Sequence, residues 1–276
     1  MYKTILVHVD ETARSLQRIE AAARLAIEYD AHLIGSAMTG LSAYAFPADA
    51  LDGGVASIPF PIEGLRAAAS RSLDVFDAAA RAAGVNVYER RLVDDEAGAG
   101  ITLQARYCDL VVISQYSPAE FSSRTRSDFA EYVLLNSSRP VLVLPHTGAT
   151  SAIGKIVTIA WNASAEAVRA ITSAIALLQR ASRVHLAVFD APSRSDGEDP
   201  GVDIASYLAR HGINIDVTSA HASGESGEAL LSFAVENGSD LIVMGGFGHS
   251  RFQQFLLGGV SRTALQSSPV ALWMAH

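Results

Sequence analysis

The residues Met244-Gly245-Gly246-Phe247-Gly248, then nine others, then Gly258-Gly259-Val260-Ser261, form a tract suited to holding an anion. Residues without a Cβ let backbone N–H groups approach a phosphate closely, and a helix N-terminus downstream of such a loop adds unpaired donors. An apolar run, Asp240-Leu241-Ile242-Val243-Met244, leads into the tract and reads as a buried strand. The chemistry expected is phosphate cradling at a strand-to-helix turn. The matching stretch of the first half, Asp109-Leu110-Val111-Val112-Ile113-Ser114-Gln115 followed by Tyr116-Ser117-Pro118-Ala119-Glu120, contains no glycine. The other reading of the same glycines is a pair of loops serving tight helix and strand packing.

Competing chemistries find less support. Gly246-x-Gly248-x-x-Arg251 lacks the third glycine of a dinucleotide fingerprint, and no Gly-x4-Gly-Lys-Ser/Thr run occurs. His249 could touch a phosphate or face solvent. The other histidines, including His8, His185 and His221, lack paired spacing, so no metal site is expected. Asp94-Asp95-Glu96 follows the third strand pattern and precedes a helix, which favours N-capping over paired-carboxylate catalysis, and Gly224-Glu225-Ser226 stands in the equivalent place. Arg124-Thr125-Arg126 reads as a solvated loop. Asp10-Glu11 without an aspartate after strand three falls short of a phosphoacceptor receiver. Cys108 reads as a buried small hydrophobe. No catalytic residue is assigned.

These residues need a scaffold, and an internal repeat supplies it. Lys3-Thr4-Ile5-Leu6-Val7-His8-Val9-Asp10 aligns with Lys155-Ile156-Val157-Thr158-Ile159-Ala160-Trp161-Asn162, the run from Asp109 with that from Asp240, and Arg139-Pro140-Val141-Leu142-Val143-Leu144 with Ser268-Pro269-Val270-Ala271-Leu272-Trp273. A period of half the chain means a duplicated domain. Short Val/Ile/Leu runs alternate with helical stretches, the mark of βαβ units around a parallel sheet. Strands are expected at 3–9, 32–38, 85–91, 109–114 and 140–144, and again at 155–160, 183–189, 213–219, 240–245 and 269–273. Helices fall between them, from Ala13 to Tyr29 and from Ser164 to Gln179 for example. Ser164 would cap the latter, with Ile171, Ile175 and Leu178 on one face. Right-handed crossovers then produce a doubly wound sheet in each half. The proline-rich stretch 39–61 and its counterpart from Ala191 to Pro200 read as long loops, and Pro145 to Ser151 as a linker between domains 1–146 and 153–276.

Composition bounds the partners. With 49% apolar and 18% charged residues the 276-residue chain can bury two cores. A net charge of −8 argues against nucleic acid and against anionic lipid. No apolar stretch approaches the about 20 residues of a membrane span. The start at Met1 passes directly into a strand pattern too short for a signal h-region, and a single cysteine fits a reducing cytoplasm.

The duplicated α/β unit and the spacing Gly245-x-x-Gly248-x9-Gly258 resemble the universal stress protein family, in its tandem two-domain form, over essentially the whole chain. The resemblance implies an adenine nucleotide alpha hydrolase-like fold with strand order 3-2-1-4-5 and a nucleotide where strands one and four diverge. It implies ATP, or ADP or AMP, as ligand, with Mg2+ as the cation that would accompany ATP. By position, Asn162 takes the place of the family's acidic residue after strand one, with Ala160 and Trp161 leading to it. Val188 meets the adenine through its backbone. Met244, Gly245, Gly248, His249 and Ser250 line the first phosphate turn, and Gly258, Gly259, Val260 and Ser261 the second. Gly259 stands where Ser or Thr is usual, and Asn162 keeps an acceptor but weakens attraction for Mg2+. Asp10 keeps the acidic position in the first half, whose nucleotide motif is otherwise degenerate. The implied function is that of a cytoplasmic stress-response sensor or regulator that binds one nucleotide in its C-terminal domain. A slow ATP hydrolase and a nucleotide-free interaction protein are the alternatives. Strands starting at Pro140 and Pro269 suggest edges that pair the halves as a pseudo-dimer, with a homodimer as a further level of assembly.

Overall fold

The structure, a computed structural model, describes residues 1–41, 62–117, 126–147, 152–188, 200–219, 226–247 and 259–276. Most of the loops expected at 39–61 and 191–200, residues 148–151 of the linker, and Arg124 and Thr125 lie outside the described residues. The chain forms two compact units. One comprises Tyr2–Val111 and Ser117–Phe129, the other Met1, Val112–Tyr116 and Ala130–His276.

In the first unit β1 (Thr4–His8) pairs in parallel with β2 (His32–Met38), and β2 with β3 (Tyr88–Val93). The fourth strand, β4 (Leu110–Ser114), starts beside β1, where Asp109 N–H donates to Thr4 O at 2.8 Å. Helices α1 (Ser15–Tyr29), α2 (Ile62–Ala83) and α3 (Ala97–Ala105) connect these strands. In α1 the buried residues Ile19, Ala22, Ala23 and Ala26 recur at helical spacing, and in α2 Ala69, Leu73, Phe76 and Ala80 do the same. Side chains of that size stabilise by ~1.5–3 kcal/mol each when fully buried, alanines less. Asp30 ends α1 in the left-handed region at φ 50°, its N–H reaching Ala26 O and Ile27 O. Of the acidic run after β3, Glu96 caps α3 by accepting from Ala99 N–H at 3.1 Å, while Asp94 binds the Arg66 guanidinium.

The second unit holds β5 (Val141–Leu144) and all of the second repeat: β6 (Ile156–Trp161), β7 (Arg183–Val188), β8 (Ile215–Ser219), β9 (Leu241–Gly245) and β10 (Ala271–Ala275). Its helices are α4 (Phe129–Asn136, all but its first residue), α5 (Ala165–Leu178), α6 (Pro200–Arg210), α7 (Ser226–Glu236) and α8 (Val260–Ser267). Parallel pairing runs β8-β7-β6-β9-β10, the expected order 3-2-1-4-5. The first repeat follows the same order, since Gln115 N–H beyond β4 donates to Leu144 O at 2.9 Å. Strand β10 also pairs antiparallel with β5, Trp273 opposite Leu142. Trp273 is fully buried, and its indole N–H donates to Ser173 of α5 at 2.9 Å.

Three strands are displaced from their expected positions. β3 starts at Tyr88 because Gly84, at φ 79°, and Val85, whose N–H returns to Ala80 O at 3.0 Å, still belong to the end of α2. β8 begins two residues late for a parallel reason, with Gly212 at φ 75° and Ile213 N–H on Leu208 O at 3.1 Å. β10 lies two residues late because Ser268 and Pro269 finish the turn from α8, Ser268 N–H bonding Ala264 O at 3.0 Å.

Candidate functional site

The register of the second repeat brings Ala160 opposite Met244 and Trp161 opposite Val188. The last residues of three adjacent parallel strands, β7, β6 and β9, therefore stand side by side. Open α/β sheets bind ligands beyond this carboxyl edge, where strands one and four diverge. Two helices, α5 and α8, begin after β6 and β9, and each N-terminus carries a partial positive charge.

The turn from β6 into α5 is built locally. Asn162 Oδ1 accepts from Ser164 N–H at 3.2 Å, Ala163 takes φ 58°, and Ser164 Oγ accepts from Ala167 N–H at 3.2 Å. Ser164 is thus the expected N-cap, and Ile171 and Leu178 are buried behind it with Ala170 and Ala174, while Ile175 is half-buried.

The turn after β9 explains its glycines unequally. A Cβ on Gly245 would lie 2.5 Å from Ala167 N and 2.7 Å from Glu166 C, so only glycine lets β9 meet the start of α5. A Cβ on Gly246 would meet the Leu134 side chain of α4 at 2.6 Å. Phe247 adopts φ 53°, and its N–H donates to Ser261 Oγ at 3.0 Å. Of three non-glycine residues with positive φ among those described, Ala163 and Phe247 are two, and both belong to these turns. Such backbone costs about 1–3 kcal/mol and tends to gather at functional sites. Gly259 is the N-cap of α8 at φ −49°, ψ 156° and makes no side-chain cap bond, so the first N–H groups of α8 have no hydroxyl of their own cap to serve them. Ser261 is buried in the first turn of α8. Gly248, His249, Ser250 and Gly258 lie outside the described residues.

Among the described residues, one carboxylate stands close to this edge. Glu166, in the first turn of α5, is pushed up by burial, yet its own backbone N–H, Arg169 at 2.7 Å and the charge of His276 together hold it below the usual carboxylate range.

The first repeat uses the equivalent place differently. Asp10 Oδ1 accepts from Thr12 N–H at 3.1 Å, the same local turn that Asn162 makes. Here the carboxylate is also gripped by Arg18 of α1, whose Nη2 lies 2.9 Å from Asp10 Oδ1 and whose Nε donates to His8 O at 2.6 Å. Arg18 is 2% exposed. His8 Nδ1 is 3.6 Å from Asp10 Oδ2, and its ring packs on Phe129. Burial pushes His8 down to about 4, with Asp10 opposing and Arg18 adding to the shift. Burial alone would raise Asp10, but Arg18, His8 and Thr12 outweigh it and hold the carboxyl well below its ordinary range. Arg18 lies eight residues after Asp10, and eight after Asn162 stands the fully buried Ala170.

Sequence reasoning missed this buried triad. A signal existed: Arg18 sits one position before Ile19 on the apolar side of α1, where a cation requires a partner. It also missed Gln115 and Glu166, whose roles depend on neighbours distant in the chain.

The model of the universal stress protein family matches residues 1–145 and 155–276. Among solved structures, a universal stress protein from Archaeoglobus fulgidus DSM 4304 aligns with a TM-score of 0.69 at 17% identity, covering 99% of this chain and 95% of that one. A putative universal stress protein from Pseudomonas aeruginosa UCBPP-PA14 aligns at 0.62 and 15% identity, covering 99% and 93%. A functionally unknown protein from Pseudomonas aeruginosa PAO1 aligns at 0.60 and 16%, covering 99% and 92%. At these identities the likeness concerns the fold. No curated protein matches the chain.

Proposed function

We propose that this chain, which belongs to the universal stress protein family, is a cytoplasmic stress-response sensor or regulator that holds ATP or a related adenine nucleotide in its C-terminal half. The observation that carries this reading is the bond from Phe247 N–H to Ser261 Oγ, which ties the first glycine turn to a helix start that has no side-chain cap. Backbone donors of Gly259, Val260 and Ser261 would take phosphate oxygens, with Gly245, Gly248, His249, Ser250 and Gly258 completing the motif at the level of sequence. Ala160, Trp161 and Met244 would floor the site, and the backbone of Val188 would meet the adenine edge.

Binding is favoured over catalysis. Asn162 is neutral and its Oδ1 already receives Ser164 N–H, so a Mg2+ accompanying ATP would be held chiefly by phosphates and water. Hydrolysis also calls for a base or a water-orienting group. The reading further includes two domains, 1–146 and 153–276, of which only the second binds nucleotide, because Arg18 already occupies Asp10. The antiparallel pairing of β5 with β10 supports an intramolecular pseudo-dimer of the two halves. Among the described residues no helix is long and apolar enough to cross a membrane.

Calorimetric titration with ATP, AMP and NADH on the wild type and on Gly248→Val tests the reading. The expected result is saturable binding of an adenine nucleotide at one site per chain, lost in the variant. Absence of binding by all three would overturn it, and phosphate release over hours would establish the hydrolase instead.

A further inference from the structure

In the first repeat, Gln115 holds the place that Gly246 has in the second. The two backbones make the same bond to the neighbouring strand, Gln115 N–H to Leu144 O at 2.9 Å and Gly246 N–H to Ala275 O at 2.8 Å. Their side-chain positions face the last helix of the opposite repeat. Gly246 leaves room for Leu134 of α4, whereas the buried amide of Gln115 reaches α8. Its Nε2 donates to Ala264 O at 3.1 Å and to Ser268 O at 3.2 Å. Its Oε1 accepts from the His146 backbone N–H at 2.9 Å and lies 3.0 Å from His146 Nδ1. An oxygen held by His146 leaves the amide only one way round, with the NH2 group towards the helix. All these residues lie in the same compact unit.

The acceptors lie at the C-terminal end of α8: Ala264 O in the last turn, which also accepts from Ser268 N–H at 3.0 Å, and Ser268 O at the C-cap. A second tie, Arg262 to Glu131 at 3.7 Å, is partly exposed and long, and pairs of that kind contribute little. An eight-residue helix is about 12 Å long and moves as a rod. A clamp on its last turn therefore sets where its first turn stands, and the first turn carries Gly259, Val260 and Ser261.

We infer that Gln115 is a positioning residue for the nucleotide site of the second repeat: the half without a glycine turn tunes the affinity of the half that has one. This rests on the nucleotide reading above.

The test compares the full chain with Gln115→Ala and Gln115→Met, the latter keeping volume while removing both donors and acceptor. Hydrogen exchange of the ligand-free proteins is read over residues 260–267, and ATP and AMP are titrated calorimetrically. Both variants should exchange faster across α8 while α5 is unchanged, and should bind the better nucleotide about fivefold more weakly, the scale of one or two neutral hydrogen bonds. A residue that only filled space would leave the Met variant with wild-type affinity, and that result overturns the inference. Should both variants fail to fold, His146→Ala, which removes the ring contact to Gln115 Oε1 and leaves only the backbone N–H of residue 146 to hold the amide, is expected to bind about twofold more weakly. Unchanged affinity there would equally overturn it. If the wild type bound neither nucleotide, the functional reading would fall and the affinity claim with it, while the α8 exchange rates would still decide whether Gln115 holds the helix.

Discussion

Arg18 donates from Nη2 to Asp10 Oδ1 at 2.9 Å in the core of the first repeat, and the positions matching this pair in the second repeat are Ala170 and Asn162. The two members differ together: where the guanidinium is gone, so is the carboxylate. A lone charge left behind by losing one partner would be costly, and losing both avoids that.

Arg18→Ala alone is therefore expected to destabilise the protein by about 3–5 kcal/mol. The double variant Arg18→Ala with Asp10→Asn, which copies the second repeat, should recover at least half of that loss. Urea unfolding of the two variants and the wild type measures both quantities. Equal destabilisation in single and double variants would contradict the account.

His8 gives the first repeat a pH dependence with a definite sign. Its folded-state value of about 4 lies below the ordinary 6.5, so the unfolded chain binds the proton first and stability falls as pH drops through that window. Asp10, also depressed, adds a loss of the same sign at still lower pH. Between pH 7.5 and pH 5 the contribution of His8 amounts to about 2 kcal/mol. Urea midpoints at the two pH values should fall accordingly in the wild type, and His8→Gln should remove most of the difference.

Gly245 and Gly246 separate backbone contact from side-chain contact. Gly245→Ala puts a methyl against Ala167 N and Glu166 C, which cannot rotate away, and a loss near the upper end of ~1–3 kcal/mol is expected. Gly246→Ala meets the end of Leu134, which can turn, and should cost less than about 1 kcal/mol. Thermal and urea unfolding of the two variants should rank them in that order.

Ser261→Ala removes the acceptor of Phe247 N–H without touching the backbone donors of α8. A stability loss of about 1 kcal/mol and a nucleotide affinity about fivefold to tenfold weaker are expected, because the two turns are no longer tied. Wild-type affinity in this variant, measured by titration, would show that the tie does not shape the site.

Much of the chain's architecture follows from short-range signals. Alternation of buried Val/Ile/Leu runs with Ala-rich helical patterns, repeated at half the chain length, is enough to give two doubly wound α/β repeats, since each strand and helix is specified by its own periodicity and crossovers have one hand, whereas the order 3-2-1-4-5 was implied by the family resemblance. Ser164 as an N-cap and a cap for α3 within Asp94-Asp95-Glu96 were legible because a cap bonds within three residues of itself, and the structure selects Glu96 from the run. The spacing of Gly245, Gly248 and Gly258 is likewise a local pattern, and the phosphate turn it suggests belongs to the proposed function.

Tertiary structure decided the meaning of the individual residues. That Gly245 serves the approach of α5 and that Phe247 leans on Ser261 depend on contacts between segments 14 to 79 residues apart. Arg18 could be read as a cation in a helix, but not as the partner that closes Asp10, until β1 and α1 were placed together. Gln115 looked like a missing glycine and proved to be a hydrogen-bond donor to a helix 149 residues away. Periodicity records which face of an element is buried, whereas the partner a polar side chain finds depends on the packing of elements distant in sequence, and no local pattern encodes that distance.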